Sequence, residues 1–324
     1  MFLSEMNDLF HEELARMRSQ ADALVRSTVT GLSPVMAGAL MSGGKNLRGL
    51  LLIIFSRRQS MVHSEAPFYA AGIELLHLAS LVHDDIIDNA QLRRQRPAMH
   101  RAQGRKMAVL AGDFICMRVL SGINGRAVPA IASDFFTMTS AMVEGEIDQL
   151  LNGSRPQCTE EEYLLVAGKK TGSLFSLATT TGARLSGSPE KGVACALECG
   201  QVFGTAFQIL DDILDLTASV DRTGKEPHQD IYNGLMTIPV IHHLRAGGSL
   251  KELQLLAESG AHTGIVAALI STGSIEYACE LARELMKKSC EKAGEALPVF
   301  EAGLVSSLCS ELMEKTHEGV IYGT

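Results

Sequence analysis

The sequence contains no tryptophan, 9 prolines and few aromatic residues, which make up 5% of its 324 positions. Alanine, leucine, glutamate, methionine and glycine prevail over valine, isoleucine and threonine, a balance that favours helices and predicts an all-α protein. Hydrophobic residues make up 46% of the chain, enough for a large core. The length alone suggests about two domains. No linker or low-complexity stretch interrupts the pattern, however, so we expect one domain over residues 1–324.

Positive charge is also scarce, since the formal net charge is −8. This gives no support for nucleic-acid binding through bulk electrostatics. The acidic, amphipathic first residues are not those of a secretory signal. No apolar run reaches the ~18 residues that span a bilayer. We therefore expect a protein that does not cross the membrane.

Cysteine is present but lacks the spacing of a disulfide framework. The number is odd, and the residues are scattered: Cys116, Cys158, Cys195, Cys199, Cys279, Cys290 and Cys309. Cys195 and Cys199 are four positions apart and could share a metal ion, but no histidine or second pair accompanies them. We expect core thiols and a reducing, cytoplasmic compartment.

Two acidic motifs are the strongest chemical signal. One apolar helical run ends in Asp84, Asp85 and Asp88, and another ends in Asp211, Asp212 and Asp215. Carboxylates at a helix C-terminus are disfavoured by the helix dipole and by their mutual repulsion. A single copy is compatible with a solvated helix end, whereas two copies about 127 positions apart indicate a shared cation site. Carboxylates without histidine or cysteine suit hard cations, so Mg²⁺ is the expected metal.

Basic residues stand in glycine-rich loops and at helix ends. With His77 as a further candidate, they are Lys45, Arg48, Arg93, Arg94, Lys170 and Lys225. Surface ion pairs are one interpretation, and charge-assisted hydrogen bonds to phosphate oxygens are the other. The absence of a GxxxxGK[ST] loop argues against a P-loop nucleotidase. Together with the carboxylates, these cations predict a diphosphate site.

The residues that precede each acidic motif are mostly apolar. They are Leu75, Leu76, Ala79 and Ser80 before the first motif, and Phe203, Phe207 and Leu210 before the second. A diphosphate with a hydrocarbon tail would match such a cleft. The predicted chemistry is ionisation of an allylic diphosphate. Metal and cations would stabilise the leaving group, while apolar walls would shield the carbocation.

These segments resemble the trans-isoprenyl diphosphate synthases, also called the polyprenyl synthetase family. The matching stretches are GGKNLR (43–48), HLASLVHDDIIDNAQLRR (77–94), KKTGSLF (169–175), FQILDDILD (207–215) and GKEPHQD (224–230). The resemblance implies an all-α bundle around a central cavity, usually dimeric. It also implies condensation of isopentenyl diphosphate with an allylic diphosphate primer, and Mg²⁺ as cofactor, with three ions per active site when substrate is bound.

The resemblance implies a role for each matched residue. The two aspartate-rich motifs would hold Mg²⁺ against the allylic diphosphate. Isopentenyl diphosphate would contact Lys45, Arg48, His77 and Arg94, and the allylic diphosphate would contact Arg93, Lys170 and Lys225. Thr171 and Gln208 would assist the carbocation.

Product length is expected to depend on side chains one to two turns before the first motif, which would line the tunnel for the growing tail. Ala79 and Ser80 are small, and Leu76 is a candidate for the tunnel floor. An open tunnel predicts a medium or long product of about C30 to C40. Geranylgeranyl or farnesyl diphosphate is the alternative product.

Three positions depart from the family pattern: Gly49 replaces a frequent proline, Gln95 a glycine and Leu235 a lysine. The last change removes one expected contact with the allylic phosphate.

Two other functions fit parts of the pattern. A terpene cyclase needs no isopentenyl site, and a regulatory or partner-dependent subunit of a heteromeric synthase would be expected to lose an aspartate motif. Two complete motifs favour the chain-elongating enzyme.

Overall fold

The computed structural model describes residues 2–27, 29, 32, 35–36, 44–93, 96–126, 128–217, 229–232 and 234–322. Of these described residues, 79% are helical, which confirms the predicted all-α class. Its first helices are α1 (Leu3–Leu9), α2 (His11–Leu24), α3 (Leu47–Phe55), α4 (Ala66–Ile87), α5 (Met99–Ala102), α6 (Arg105–Asn124), α7 (Pro129–Asn152) and α8 (Glu160–Ala167). They are followed by α9 (Ser173–Leu185), α10 (Glu190–Thr217), α11 (Gln229–Tyr232), α12 (Ile238–Arg245), α13 (Leu250–Glu258), α14 (His262–Ser271), α15 (Ser274–Ala296) and α16 (Val299–Tyr322).

Two short antiparallel hairpins, which the sequence pattern did not predict, follow α3 and α4. Strand β1 (Arg57–Arg58) pairs with β2 (Met61–Val62), and β3 (Leu92–Arg93) pairs with β4 (Arg96–Pro97). The second hairpin places Arg93 just beyond the acidic end of α4.

Helix α9 lies at the centre of the bundle. Its residues Ser173 to Ala183 are all buried, as expected of a helix with neighbours on every side. It packs against α3, α7 and α10. The buried hydroxyl of Thr179 donates to the Ala196 carbonyl at 2.6 Å. A Cβ atom at Gly182 would lie 2.6 Å from the Leu52 carbonyl, so the close approach of α9 to α3 requires glycine there.

The helices that carry the acidic motifs, α4 and α10, are long and mostly buried. Helix α4 packs against α2, α3 and α6, and α10 packs against α9, α15 and α16. At the end of α4, the Asp88 backbone N–H still bonds to the Asp84 carbonyl, and Asn89 then turns the chain with a positive φ of 55°. The motif residues therefore stand on the last helical turn.

Two helical stretches are locally irregular. The chain is interrupted between α1 and α2 at Phe10, whose side chain is buried. Helix α8 continues through a π-helical turn, Gly168–Gly172, into α9. Wider π turns of this kind occur often at functional sites.

Helices α6 and α10 are long and apolar enough to cross a membrane by length and composition, as is the bent pair of α14 and α15. They are not uninterrupted apolar runs, since α6, for example, contains Asp113 and Arg118. The apolar surface of α10 packs against other helices of the bundle, because 61% of its most apolar window is buried inside the structure.

Candidate active site

The acidic helix ends face one large cavity, with a volume of about 1690 Å³. Most of the predicted site residues line it: Asp84, Asp85, Asp88, Asp211, Asp212, Asp215, Lys45, Arg48, His77, Ser80, Arg93, Lys170, Thr171 and Gln208. Arg94, Gln95 and Lys225 lie outside the described residues. Leu235, the position without the expected lysine, also lines the cavity.

In the first motif, Asp84 and Asp85 differ in their partners. Burial raises the pKa of Asp84 from its ordinary value of 3.8 to about 7. Lys170 opposes this shift, while Glu146 and Asp88 add to it. Asp85 is buried and pairs with the Arg93 guanidinium at 3.7 Å. Burial thus dominates the pKa of Asp84, whose carboxyl group lines the cavity.

In the second motif, the middle aspartate is held by neutral donors. The Tyr163 hydroxyl donates to one carboxylate oxygen of Asp212 at 2.5 Å, and the Gln208 amide donates to the other at 2.8 Å. Gln208 in turn accepts a hydrogen bond from the Thr171 hydroxyl at 2.5 Å. Asp211, by contrast, is exposed to the cavity.

The cations lie in two groups. Arg48 is 8% exposed and stacks over the Phe175 ring at 4.4 Å. Burial lowers the pKa of its guanidinium, while Glu74 and Asp211 counteract that effect. Glu74 also accepts a hydrogen bond from the Gly49 N–H at 2.8 Å, a donor that a proline at this position would lack.

Lys170 stands beside the first motif. Burial acts to lower the pKa of its ammonium group, but attraction to Glu146 and Asp84 outweighs burial, so the pKa is raised. Its Nζ lies 2.5 Å from the Glu146 carboxylate. Each acidic motif thus has a nearby cation, Lys170 at the first and Arg48 at the second.

The π turn Gly168–Gly172 positions Lys170 and Thr171 between α7 and α10. A Cβ atom at Gly145 would lie 2.5 Å from the Lys170 backbone nitrogen, and one at Gly204 would lie 2.6 Å from the Gly172 Cα. Glycines on both sides therefore allow the two helices to close on this turn. The result is a lysine and a threonine that both line the cavity.

A sequence profile of the polyprenyl synthetase family matches residues 30–271, about three quarters of the chain. The chain belongs to this family. An all-trans-nonaprenyl-diphosphate synthase (geranyl-diphosphate specific) of Rhodobacter capsulatus is 32% identical over 295 residues, which cover 89% of each of the two chains. Component 2 of a heptaprenyl diphosphate synthase of Geobacillus stearothermophilus is 28% identical over 95% of this chain and 97% of its own. A decaprenyl diphosphate synthase of Rhodobacter capsulatus has the same fold, with a TM-score of 0.89 and 24% identity over 97% of this chain and 99% of that one.

The donors of this polyprenyl synthetase fit a hard cation that binds together with a diphosphate. Among the described residues, no group of three or more His, Cys, Asp or Glu side chains is close enough to hold a metal ion by itself. Mg²⁺ usually binds through one or two carboxylates and completes its shell with water and substrate phosphate. The carboxylates that line the cavity match this requirement.

The positions expected to set product length differ in where the structure places them. Ile73, Leu76 and Ala79 are fully buried and do not line the cavity, because they point from α4 into the core. Ser80 does line it, as do Leu75 and Leu78. Helix face, and not only distance from Asp84 along the chain, thus decides which residues of α4 can contact a growing tail.

Three residues of this site were missed by sequence reasoning: Glu74, Glu146 and Tyr163. Two carboxylates of α7, Glu144 and Asp148, lie near the Lys169 ammonium, at 4.0 and 2.8 Å. Glu146, between them in sequence, lies on another face of α7 and lines the cavity, which the helical period could have indicated. Tyr163 and Glu74 carry no local signal, since their partners are distant in sequence.

Proposed function

We propose that the protein is a chain-elongating trans-prenyltransferase, which condenses isopentenyl diphosphate with an allylic diphosphate primer to make a linear polyprenyl diphosphate. The observation that carries this proposal is one cavity with two acidic motifs, two separate cation groups and an apolar continuation along α4. Family membership supports it independently.

Each group of residues has a step to perform. The outer aspartates would hold Mg²⁺, which would supply positive charge to the departing diphosphate. Lys170 and Arg93 bind the oxygens of this diphosphate. Lys45 and Arg48 bind the second diphosphate, so that the isopentenyl double bond is oriented toward the allylic carbon. The apolar walls exclude water from the carbocation.

Product length follows from the extent of the cavity. Ala71 and Leu75 line it below Asp84, so it descends along α4 for about 13 residues, or roughly 20 Å. Its volume of about 1690 Å³ exceeds that of ordinary ligand pockets. A depth of roughly 20 Å holds about four isoprene units at about one unit per helical turn, so a longer tail must also occupy the width of the cavity. On the basis of the cavity volume we propose a product of about C30 to C40, with geranylgeranyl diphosphate as the alternative.

The proposal is tested by incubating the purified protein with Mg²⁺, labelled isopentenyl diphosphate and each allylic primer in turn, and sizing the products. We expect linear products longer than C20. A protein that ionises the primer but incorporates no isopentenyl unit would instead be a cyclase. A protein active only after addition of a second polypeptide would be a subunit of a two-component synthase.

We further propose a homodimer in a reducing, cytoplasmic compartment; the seven free thiols accord with that compartment. Large apolar side chains on α6 and α7 are exposed in the single chain, among them Leu110 (63%), Met117 (62%) and Leu151 (72%). Such a patch is typical of a subunit interface. Leu110→Glu/Met117→Glu should shift the sedimentation coefficient to that of a monomer, whereas Leu255→Glu, an exposed position on α13, should not.

A further inference from the structure

Four side chains form a continuous hydrogen-bond chain at the wall of the cavity. It runs from Tyr163 on α8 to Asp212 and Gln208 on α10, and ends at Thr171 in the π turn. All four residues line the cavity. Thr171 and Asp212 are each 7% exposed, so the chain is largely shielded from water.

The chain has a fixed direction. A carboxylate can only accept hydrogen bonds, so both Tyr163 and Gln208 must donate to Asp212. The Gln208 amide then directs its oxygen toward Thr171. Because the Thr171 hydroxyl donates its only proton to that oxygen, its remaining capacity is that of an acceptor.

We propose that Tyr163 and Asp212 are positioning residues that orient Gln208 and Thr171, so that Thr171 presents its oxygen lone pairs, and not its proton, to the carbocation in the cavity. An oriented oxygen dipole in a water-excluded site stabilises positive charge without reorganisation. In this arrangement Asp212 anchors the chain, and the metal is held by its neighbours Asp211 and Asp215.

The inference rests on the proposed prenyltransferase function, and one substitution reverses the direction of the chain. In Asp212→Asn, with the Tyr163 hydroxyl still donating to the amide oxygen at position 212, the amide nitrogen faces Gln208. The Gln208 amide then rotates and presents its nitrogen to Thr171. Thr171 then accepts, and its proton points into the cavity. We expect turnover to fall about a hundredfold, with an unchanged Mg²⁺ concentration for half-maximal activity.

The double variant Gln208→Glu/Asp212→Asn exchanges the amide and the carboxylate, and it restores the original direction of the hydrogen-bond chain. The new carboxylate at position 208 accepts from both the new amide at position 212 and the Thr171 hydroxyl, while Tyr163 still donates to the side chain at position 212. We expect at least about tenfold recovery of turnover over Asp212→Asn alone. Tyr163→Phe, the mildest change, should lower turnover about tenfold because it removes one hydrogen bond to a charged group.

Tyr277→Phe is the matched control, since Tyr277 donates to the Glu160 carboxylate at 2.8 Å away from the cavity and its loss should leave turnover unchanged. The proposal is overturned if the double variant is as slow as Asp212→Asn, if Tyr163→Phe turns over like the wild type, or if Asp212→Asn acts by raising the Mg²⁺ requirement. Failure of the wild type to elongate any primer would instead contradict the proposed function itself.

Discussion

At the end of α4, Asp85 pairs with the Arg93 guanidinium, whereas at the end of α10 the corresponding Asp212 accepts hydrogen bonds from Tyr163 and Gln208. The two motifs share their spacing, and in both the middle aspartate is the buried one. A guanidinium contacts the middle aspartate of the first motif, whereas a phenol and an amide donate to that of the second. The middle aspartates of two motifs with the same sequence are thus positioned by different side chains.

The largest effect should come from removing an outer carboxylate of either motif. We expect Asp84→Ala and Asp211→Ala each to lower turnover by about 10²–10³ because each removes a strong electrostatic contact with the bound metal. Glu258→Ala, an exposed position on α13, is the control. A wild-type rate in either variant, or full activity in EDTA, would contradict the prediction that both motifs bind the metal.

The cations sharpen the comparison. Lys45→Ala and Arg48→Ala should raise the KM for isopentenyl diphosphate by about 10- to 100-fold, and Lys170→Ala should do the same for the primer, since each removes a charged hydrogen bond. The adjacent Lys169 pairs with Asp148 and does not line the cavity, so Lys169→Ala serves as the control. Equal changes in both KM values would mean that the two diphosphates are not bound by separate cation groups.

The position one turn before each motif also differs, since Ser80 precedes Asp84 and Phe207 precedes Asp211. Both line the cavity, which leaves room for a growing tail along α4. Ser80→Phe should therefore shorten the product while the enzyme still consumes isopentenyl diphosphate. Ala79→Phe should instead destabilise the fold by about 1–3 kcal/mol through overpacking. Product sizing and thermal unfolding would distinguish the two, and the reverse pattern would contradict the assigned helix faces.

The smallest effect concerns protons at the first motif. The pKa of Asp84 is about 7 in the folded, metal-free protein and 3.8 ordinarily. This group therefore stabilises the metal-free fold at low pH and ceases to do so as the pH rises through about 7. Binding of Mg²⁺ with inorganic diphosphate near pH 7 should release about half a proton more from the wild type than from Asp84→Asn, measurable by calorimetry in buffers of different ionisation enthalpy. Equal release from the two proteins would contradict the raised pKa of Asp84.

The sequence predicted the helical class, both acidic motifs and most cations, because these depend on composition and on short, local spacings. The partners of Asp212 could not be predicted, since Tyr163 is 49 positions away and only packing of α8 on α10 brings the two together. The π turn could not be predicted either, because its glycines usually indicate a helix end. Ala79 and Ser80 are adjacent in sequence, so only the ~100° between their directions on α4 separates a core position from a cavity position.

The two faces of α4 also bear on how such enzymes diverge. Ile73, Leu76 and Ala79 pack into the core, while Leu75, Leu78 and Ser80 line the cavity. Substitutions on the cavity face change the space for the tail without opening a void in the core. Product length can therefore evolve by single steps on one helix, with little need for compensating changes that preserve the fold.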